Sequence, residues 1–315
     1  MAELELLIES KAELGESPVW DAKQGCLLWA DLYAPAIESY RVCDGKRQRW
    51  AMPETLGAFG LCTDGRLIVA MRSGIYLFEP ASGGLELLCC PSGEPRVDTR
   101  FNDGKVAPDG RFVIGTMDEQ HRTRPLGRLY SVDADGQAAC LHAQLIVSNG
   151  LAWSEDGRRM YFSDTRRDTL YVADYCLERG AMSNPRVMVV TDPARHGRPD
   201  GGATDLAGGY WSAGVFGGVL NYWDRDGRLA RQVRVPCPGP TMPCFGGADM
   251  KTLYVTTLRK GLSPEALAAA PLSGSVFALE VEVPGVPVAA FEPQSSAAGL
   301  QSASSTTLNQ NQNSR

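Results

Sequence analysis

The sequence predicts an all-β protein, and more specifically a six-bladed β-propeller. Short runs rich in β-branched and aromatic residues alternate with Gly, Asp and Pro turns, and helical periodicity is almost absent. The turns recur at intervals of roughly 40 to 50 residues, which leaves room for about four short strands in each interval. A four-stranded sheet cannot bury both faces alone, so units of this kind stack radially. Two packed β-sandwiches are the alternative, but they do not explain why the pattern of turn and strand recurs at a regular interval.

The six units fit between Leu14 and Pro287, inside a single domain predicted for residues 1–293. The runs that restart the pattern, each just beyond a turn, are Leu27–Ala30, Leu67–Met71, Phe112–Thr116, Met160–Ser163, Tyr210–Ala213 and Leu253–Thr257. Ser263–Ala270 predicts a short helix, because it offers a serine N-cap, a proline at the first helical position and an acidic first turn. Glu5–Glu9 is predicted to supply the strand that closes the ring. Residues 294–315, rich in Ser, Gln and Asn, predict a disordered low-complexity tail.

Composition and charge narrow the class of partner. The formal net charge of -6 and the lack of a basic stripe argue against nucleic acid and anionic membrane. No apolar window is long enough for a membrane span, and the N-terminus lacks the features of a signal peptide. The nine cysteines form no Cys-x-x-Cys and the three histidines lack metal-ligand spacing, which argues against disulfide frameworks and zinc knuckles. We therefore expect a cytoplasmic protein, monomeric or weakly homo-oligomeric, that acts on a small molecule.

One position, which we call the slot, carries an oxygen-bearing side chain in four of the six units. It lies four residues before Trp20 and Trp153, and it is located in the other units by counting back from their turns. The four oxygen-bearing residues are Glu16, Asn102, Asn149 and Asp200, whereas the second and sixth units have Gly57 and Met242.

In a propeller the slot falls where the innermost strand begins, at the mouth of the central channel. Equivalent positions converge there, and two carboxylates forced together repel unless a cation lies between them. All-oxygen ligands favour a divalent cation. The competing interpretation is that Asx residues before glycine merely form turns. Glu16 does not fit that explanation, because glutamate is a poor turn former, so agreement across four units favours a site.

Several motifs together resemble the SMP-30/gluconolactonase/regucalcin family of six-bladed propellers, over about Leu14 to Pro287. The stretch from Lys251 to Leu262 is similar to the family's bacterial sugar lactonases, such as those acting on arabinono-, xylono- and gluconolactones. The matching motifs are Leu14–Trp20, Arg100–Lys105, Gly115–Met117, Ser148–Gly150, Tyr161–Thr165 and Pro199–Gly201.

The resemblance implies metal-dependent hydrolysis of a sugar lactone, with a pentono- or gluconolactone favoured. It implies that one divalent metal is bound by Glu16, Asn149 and Asp200, and that Asp200 is also the catalytic general base. It implies substrate contacts from Arg100, Asn102 and Glu119. Ca²⁺ and Zn²⁺ are the favoured metals, and Mn²⁺, Mg²⁺ and Fe²⁺ remain open. A phosphotriesterase-like hydrolase and a non-catalytic calcium-binding propeller are the alternatives, whereas a serine hydrolase is rejected because no Gly-x-Ser-x-Gly motif occurs.

Four finer expectations follow. Gly202-Ala203 departs from the family, which usually has an apolar residue after Pro199-Asp200-Gly201, and predicts a locally disturbed strand. Asp103 and Asp109 are interpreted as turn residues, and His121 and His196 as loop residues. Substrate specificity is predicted to depend on loops around residues 118–124 and 241–245.

Overall fold

The computed structural model describes residues 4–91, 94 and 97–294. Within these residues the chain forms six antiparallel sheets of four strands each, which confirms the predicted six-bladed β-propeller. The first blade comprises β2 (Gly15–Asp21), β3 (Cys26–Asp31), β4 (Ala36–Arg41) and β5 (Arg47–Ala51). The second comprises β6 (Leu56–Leu61), β7 (Leu67–Met71), β8 (Gly74–Glu79) and β9 (Gly84–Cys89). The third comprises β10 (Thr99–Val106), β11 (Phe112–Asp118), β12 (Gly127–Val132) and β13 (Ala138–Leu145).

The remaining blades follow the same order, except that the last is completed from the other end of the chain. The fourth comprises β14 (Ser148–Trp153), β15 (Arg159–Asp164), β16 (Thr169–Cys176) and β17 (Ala181–Val190). The fifth comprises β18 (Arg198–Thr204), β19 (Tyr210–Val215), β20 (Val219–Trp223) and β21 (Leu229–Arg234). The sixth comprises β22 (Pro240–Gly246), β23 (Thr252–Thr257), β24 (Val276–Glu280) and, paired antiparallel with β24, β1 (Glu5–Ile8). The closing strand predicted from Glu5–Glu9 is therefore confirmed.

The first strand of each blade faces the central axis. β2 contacts β6 and β22, β10 contacts β6 and β14, and β18 contacts β14 and β22, so the six inner strands close a ring. The six runs that restart the sequence pattern are the second strands of the six blades, as their spacing indicated. Any feature repeated near the start of the inner strands is therefore brought to one end of one channel.

The core lies between blades, as six separate apolar clusters. Leu67, Val69 and Met71 of β7 pack into the cluster shared with the first blade, whereas Ile68 and Ala70 pack into the cluster shared with the third. Successive side chains of a strand point to opposite faces, so a blade sandwiched between two others buries both. This explains why the second strands are continuous apolar runs, and it confirms that one blade cannot supply a core by itself.

The short helices are local features of the connections. The predicted helix is confirmed as α2 (Pro264–Ala269), whose N-cap Ser263 accepts a hydrogen bond from the Ala266 amide at 3.2 Å. A one-turn helix, α1 (Pro193–His196), was not predicted, so the interpretation of His196 as a loop residue is wrong. No described helix is long and apolar enough to cross a membrane. The predicted tail lies outside the described residues apart from its first residue, Gln294.

Replacing Phe162 with alanine is expected to lower the free energy of unfolding by about 3–5 kcal/mol, because it removes a large buried ring and leaves a cavity. Phe162 is fully buried between the third and fourth blades, and its ring stacks on Tyr171 with centroids 4.9 Å apart. Urea unfolding measures the change. Val187→Ala, on the outer strand of the same blade and 56% exposed, is the control and should change stability by less than about 0.5 kcal/mol. Equal effects from both variants would contradict the described core.

Candidate functional site

A cavity of about 250 Å³ lies at the end of the channel where the inner strands begin. The four oxygen-bearing slot residues all line it, and we call them the oxygen cluster: Glu16, Asn102, Asn149 and Asp200. They come from four different blades and are separated by up to 184 positions in the chain, as counted from Glu16 to Asp200. The convergence predicted from the repeated slot is therefore present in the structure.

Each inner strand is irregular at its slot. The pairing register between the inner strand and its neighbour shifts at this point in all six blades, as between Glu16 and Val19, Asn149 and Ala152, and Pro199 and Gly202. The same shift occurs in the second, third and sixth blades. An extra residue in one strand bends it and redirects side chains that would otherwise point to the sheet faces. These bulges are how side chains of a flat blade come to point into the channel.

The charges of the two carboxylates of the oxygen cluster, the buried Asp200 and the half-buried Glu16, are poorly compensated by nearby cations. Burial is the largest cause that raises the pKa of Glu16 well above its ordinary value, and the charges of Asp200 and Asp103 raise it further. Burial and then Asp103 raise the pKa of Asp200, against the opposing charges of Arg122 and Arg100. Among the described residues the Asp200 carboxylate forms neither a hydrogen bond nor an ion pair. A cation placed between the Glu16 and Asp200 carboxylates would therefore be bound favourably.

The two amides are held in a fixed orientation. Asn149 Nδ2 donates to Thr165 Oγ1 at 2.8 Å, so its Oδ1 faces the cavity. Asn102 Nδ2 donates to that oxygen at 2.9 Å, which leaves Asn149 Oδ1 one further lone pair. Thr165 is itself fixed, because its hydroxyl donates to the Pro199 carbonyl at 2.8 Å. This chain links three of the contributing blades and presents an oxygen, not an amide nitrogen, to the cavity.

Arg100 lies beside the oxygen cluster, and part of its guanidinium has no hydrogen-bond partner. Its guanidinium donates to the Phe101 carbonyl at 2.7 Å and to Asn102 Oδ1 at 2.9 Å, while its buried Nε has no partner. Burial lowers the pKa of Arg100, although an arginine stays protonated in proteins. Buried donors without partners are costly, so an arginine held this way at a cavity is suited to an oxygen-rich ligand.

The slots of the second and sixth blades do not contribute for steric reasons. A Cβ on Gly57 would lie 2.6 Å from the Cβ of Phe101, so no side chain fits there. Met242 is buried and packs against the backbone of Gly201, whose own missing Cβ leaves the space that the methionine fills. The slots on either side of Glu16 therefore supply no polar side chain to the oxygen cluster.

Two expectations about neighbouring residues are wrong. Asp103 is not a turn residue: it lies inside β10, is buried, and accepts a hydrogen bond through Oδ2 from the Leu151 amide of the next blade at 3.0 Å. Gly202-Ala203 causes no disturbance of its own, because both residues lie inside β18 and the register shift between Pro199 and Gly202 is the one found at every slot. A side chain at Gly202 would overlap the Tyr210 hydroxyl, and its carbonyl accepts from Lys105 Nζ at 2.7 Å. Asp109, in contrast, does cap its turn.

Glu119 is close to the cavity but does not line it. Its carboxylate pairs with the Arg72 guanidinium at 3.2 Å, and its side chain is 35% exposed. Its predicted contact with substrate would require it to leave or share this ion pair. The assignment stays a prediction.

The cavity has a rim of basic residues that the sequence reasoning did not single out. We call it the cationic mouth: Arg122, Arg166, Arg198 and Lys260. Two features of the sequence pointed to members of this rim. Arg122 falls in the predicted specificity loop at residues 118–124, and Lys260 falls in a segment that resembles sugar lactonases. The prediction that residues 241–245 form a specificity loop is wrong, because they lie inside β22 and do not line the cavity. The segment that follows β23 lines the cavity instead.

A larger cavity, of about 940 Å³, lies where the inner strands of the first, second and sixth blades end. It is lined by residues such as Trp20, Trp50, Leu61, Phe245 and Met250, and it contains no residue of the oxygen cluster. Size alone would therefore point to the wrong end of the propeller. Convergent polar groups with perturbed pKa values identify the smaller cavity as the functional candidate.

Comparison with known proteins agrees with this geometry. Residues 14–259 match the family model described as the SMP-30/Gluconolactonase/LRE-like region. The chain belongs to this family. It is 43% identical over 286 residues to 6-deoxy-6-sulfogluconolactonase of Pseudomonas putida, which covers 90% of this chain and 96% of that protein. It is 32% identical over 290 residues to L-arabinolactonase of Azospirillum brasilense, with 91% and 94% covered.

The fold is also that of solved members of the SMP-30/gluconolactonase family. The chain aligns with the crystal structure of regucalcin, a calcium-binding protein of Agrobacterium tumefaciens, with a TM-score of 0.85 and 28% identity. The alignment covers 93% of this chain and 97% of that one. The family resemblance that the sequence motifs indicated is therefore confirmed, while the roles assigned to individual residues stay predictions.

Proposed function

We propose that this protein is a metal-dependent lactonase that opens a sugar lactone, a glucono- or pentonolactone, to the aldonic acid. The observation that carries the proposal is the convergence of Glu16, Asn149 and Asp200 with the buried Arg100 in one small cavity. Relatives named 6-deoxy-6-sulfogluconolactonase and L-arabinolactonase support the class of lactone-ester hydrolases. The cavity of about 250 Å³ is smaller than the roughly 300–1,000 Å³ that holds drug-sized ligands, so it suits one monosaccharide unit.

The residues present fit a divalent cation. Asp200 raises the pKa of the neighbouring Glu16 carboxyl, Asp103 raises the pKa of both, and the fixed Asn149 oxygen has a free lone pair beside them. Oxygen-only ligands suit Ca²⁺, Mg²⁺ or Mn²⁺ better than a thiol- or imidazole-rich site would, and Zn²⁺ and Fe²⁺ remain compatible. The calcium-binding neighbour supports the same class of ion. Glu16, Asn149 and Asp200 would hold the ion, which supplies Lewis-acid activation of the lactone carbonyl or of water.

The chain's own groups account for the remaining chemistry. Water oxygen adds to the carbonyl carbon, the ring C–O bond breaks, and the ring oxygen leaves as a hydroxyl. We assign to Asp200 the role of accepting the proton from water and returning it to the departing oxygen. Arg100 offers charge-assisted donors to the carbonyl or ring oxygen. Asn102, whose amide is fixed by Asn149 and Arg100, orients a sugar hydroxyl.

Removing the metal is expected to abolish lactone hydrolysis. The purified protein is stripped with a chelator, then assayed with a panel of aldonolactones by proton release, and the spontaneous ring opening of each lactone is subtracted. Activity should fall to that background and return when Ca²⁺, Mn²⁺, Mg²⁺, Fe²⁺ or Zn²⁺ is added back. Elemental analysis of the untreated protein identifies the resident ion.

The same panel separates the alternatives. Metal-dependent turnover of phosphotriesters without turnover of lactones would favour the phosphotriesterase-like hydrolase. Tight Ca²⁺ binding without turnover of any ester would favour the non-catalytic calcium-binding propeller. The Arg100–Asn102 pair favours catalysis, because a site that only bound a cation would gain nothing from a buried guanidinium beside it. Cytoplasmic location and a monomeric or weakly homo-oligomeric state stay predictions.

A further inference from the structure

We infer that the cationic mouth binds a tetrahedral anionic group, a sulfonate or a phosphate, carried by the lactone on the part of the sugar remote from its carbonyl. The inference rests on the proposed lactonase function and names the substrate class for the same site. The oxygen cluster accounts for the carbonyl end of the substrate. It gives no role to Arg122, Arg166, Arg198 and Lys260, which line the same cavity.

The cationic mouth is built from four blades, as the oxygen cluster is. Arg122 lies in the connection between β11 and β12, and Arg166 lies in a single 3-10 turn (Thr165–Arg167) after β15. Arg198 opens β18, two residues before Asp200, and Lys260 follows β23. All four positions adjoin the ends of strands that open on the mouth of the channel. The four cations therefore reach one opening from four separate blades and do not belong to a single basic segment of the chain.

Most of this positive charge is uncompensated. Arg198 pairs with Asp168 at 2.8 Å, but Arg122, Arg166 and Lys260 form no ion pair with any carboxylate in the described part of the chain. Exposed arginines elsewhere are commonly paired, such as Arg47 and Arg49 with Glu38 or Arg186 with Asp174. The protein as a whole carries a formal charge of -6. A local excess of unpaired cations on an acidic protein attracts an anion to this opening.

The cations are held in place and are not merely solvated. Lys260 Nζ lies 3.2 Å from the centroid of the Tyr33 ring, and the Lys260 amide is tied to the Glu13 carbonyl at 2.9 Å. Arg166 Nε donates to the Arg122 carbonyl at 3.0 Å. Arg122 itself has a φ of 53°, in the left-handed region that a non-glycine residue adopts at a cost. The contacts of the Lys260 and Arg166 side chains reduce the entropy that these two residues lose when they bind a ligand, and the Arg122 backbone is fixed beside them.

A neutral sugar lactone does not require this arrangement. Hydroxyl groups are recognised by paired donors and acceptors, which the oxygen cluster already supplies. Including Arg100, five cations line the cavity against two carboxylates, and a divalent metal would increase the excess. A sulfonate or phosphate presents three oxygens that accept charge-assisted hydrogen bonds from several guanidinium and ammonium groups at once. The charge balance therefore favours an anionic substituent on the substrate.

The test compares three lactones on the metal-loaded enzyme: a plain gluconolactone, and gluconolactones with a sulfonate or a phosphate on carbon 6. We expect kcat/KM to be at least about tenfold higher for a charged lactone than for the plain one, since a charge-assisted hydrogen bond contributes that much. Whichever charged lactone is preferred identifies the anion. The double variant Lys260→Met, Arg122→Gln should lower the charged-to-plain ratio by about tenfold or more. The double variant Lys23→Met, Lys46→Met, an equal change of charge at two exposed turns of the first blade outside the cavity, should leave the ratio unchanged.

A measurement on the unaltered enzyme keeps the inference testable if the double variant does not fold. Raising the ionic strength from about 0.05 M to about 0.5 M should reduce the charged-to-plain ratio several-fold, because salt screens partly exposed charges. Turnover of the plain lactone with equal or higher kcat/KM and no effect of salt on the ratio would overturn the inference and leave the proposed lactonase intact. No turnover of any lactone would overturn the proposed function, and the inference with it.

Discussion

Replacing Asp200 with asparagine is expected to lower kcat/KM for lactone hydrolysis by about 10²–10⁴-fold, the usual range for losing a general acid–base group. Asparagine keeps an oxygen at nearly the same place but neither accepts the proton from water nor contributes a negative charge to the metal site. The Asp200 carboxylate is buried and forms no hydrogen bond with the described residues, so its oxygens are free to accept a proton from water. Steady-state assays with saturating metal separate the loss of proton transfer from weaker metal binding.

Asp205→Asn is the matched control, because it changes a second buried carboxylate of the same blade at the other end of the inner strand. Asp205 accepts a hydrogen bond from the Gly209 amide at 2.9 Å and does not line the cavity. Its asparagine variant keeps an acceptor oxygen and should retain activity near that of the parent. Full activity in the Asp200→Asn variant would contradict the assignment of this residue.

Replacing Glu16 with glutamine is expected to stabilise the metal-free protein while abolishing its stabilisation by metal. Burial and the charges of Asp200 and Asp103 raise the pKa of Glu16, so its charged form opposes folding at neutral pH. Removing that charge should raise the Tm of the stripped protein by about 1.5 °C or more, since about 1 kcal/mol corresponds to about 1.5 °C for a chain of 315 residues. Metal binding stabilises the parent by mass action, and this shift should be lost in the variant.

The sign of the pH dependence follows from the same raised pKa. Because the folded state binds the proton more tightly than the unfolded state, the penalty is present above the raised pKa. It disappears as the pH falls towards the ordinary pKa of glutamate. The Tm advantage of Glu16→Gln should therefore shrink on acidification. Metal affinity of the parent should fall over the same range, because protons compete with the ion.

Glu38→Gln is the opposite control in the same blade. Glu38 is buried, but it pairs with Arg47 at 2.9 Å and Arg49 at 2.7 Å, so losing its charge should lower stability by about 1 kcal/mol. Differential scanning calorimetry of both variants, with and without metal, provides the comparison. A Glu16→Gln protein that is less stable than the parent without metal would contradict the uncompensated charge described here.

Two of the wrong interpretations made from the sequence share one physical cause. Asp103 precedes a glycine and looks like a turn residue, yet it is an interior strand residue whose carboxylate reaches the next blade. Residues 241–245 look like a loop, yet they form an inner strand. Both depend on bulges and on packing between blades that are far apart in the chain. No local pattern records these long-range contacts.

The number of blades, their second strands, the closing strand, the family and the four oxygen-bearing slots were all predictable from the sequence. Strand periodicity, turn chemistry and repeat spacing are local properties, and a propeller converts a repeated local position into convergence at one axis. Only the tertiary structure decided that Glu119 pairs with Arg72 beside the cavity and that Asn149 presents its oxygen. It alone brought Arg122, Arg166, Arg198 and Lys260 to one rim. These features depend on side-chain directions and on charges from different blades, which are fixed only when the ring closes.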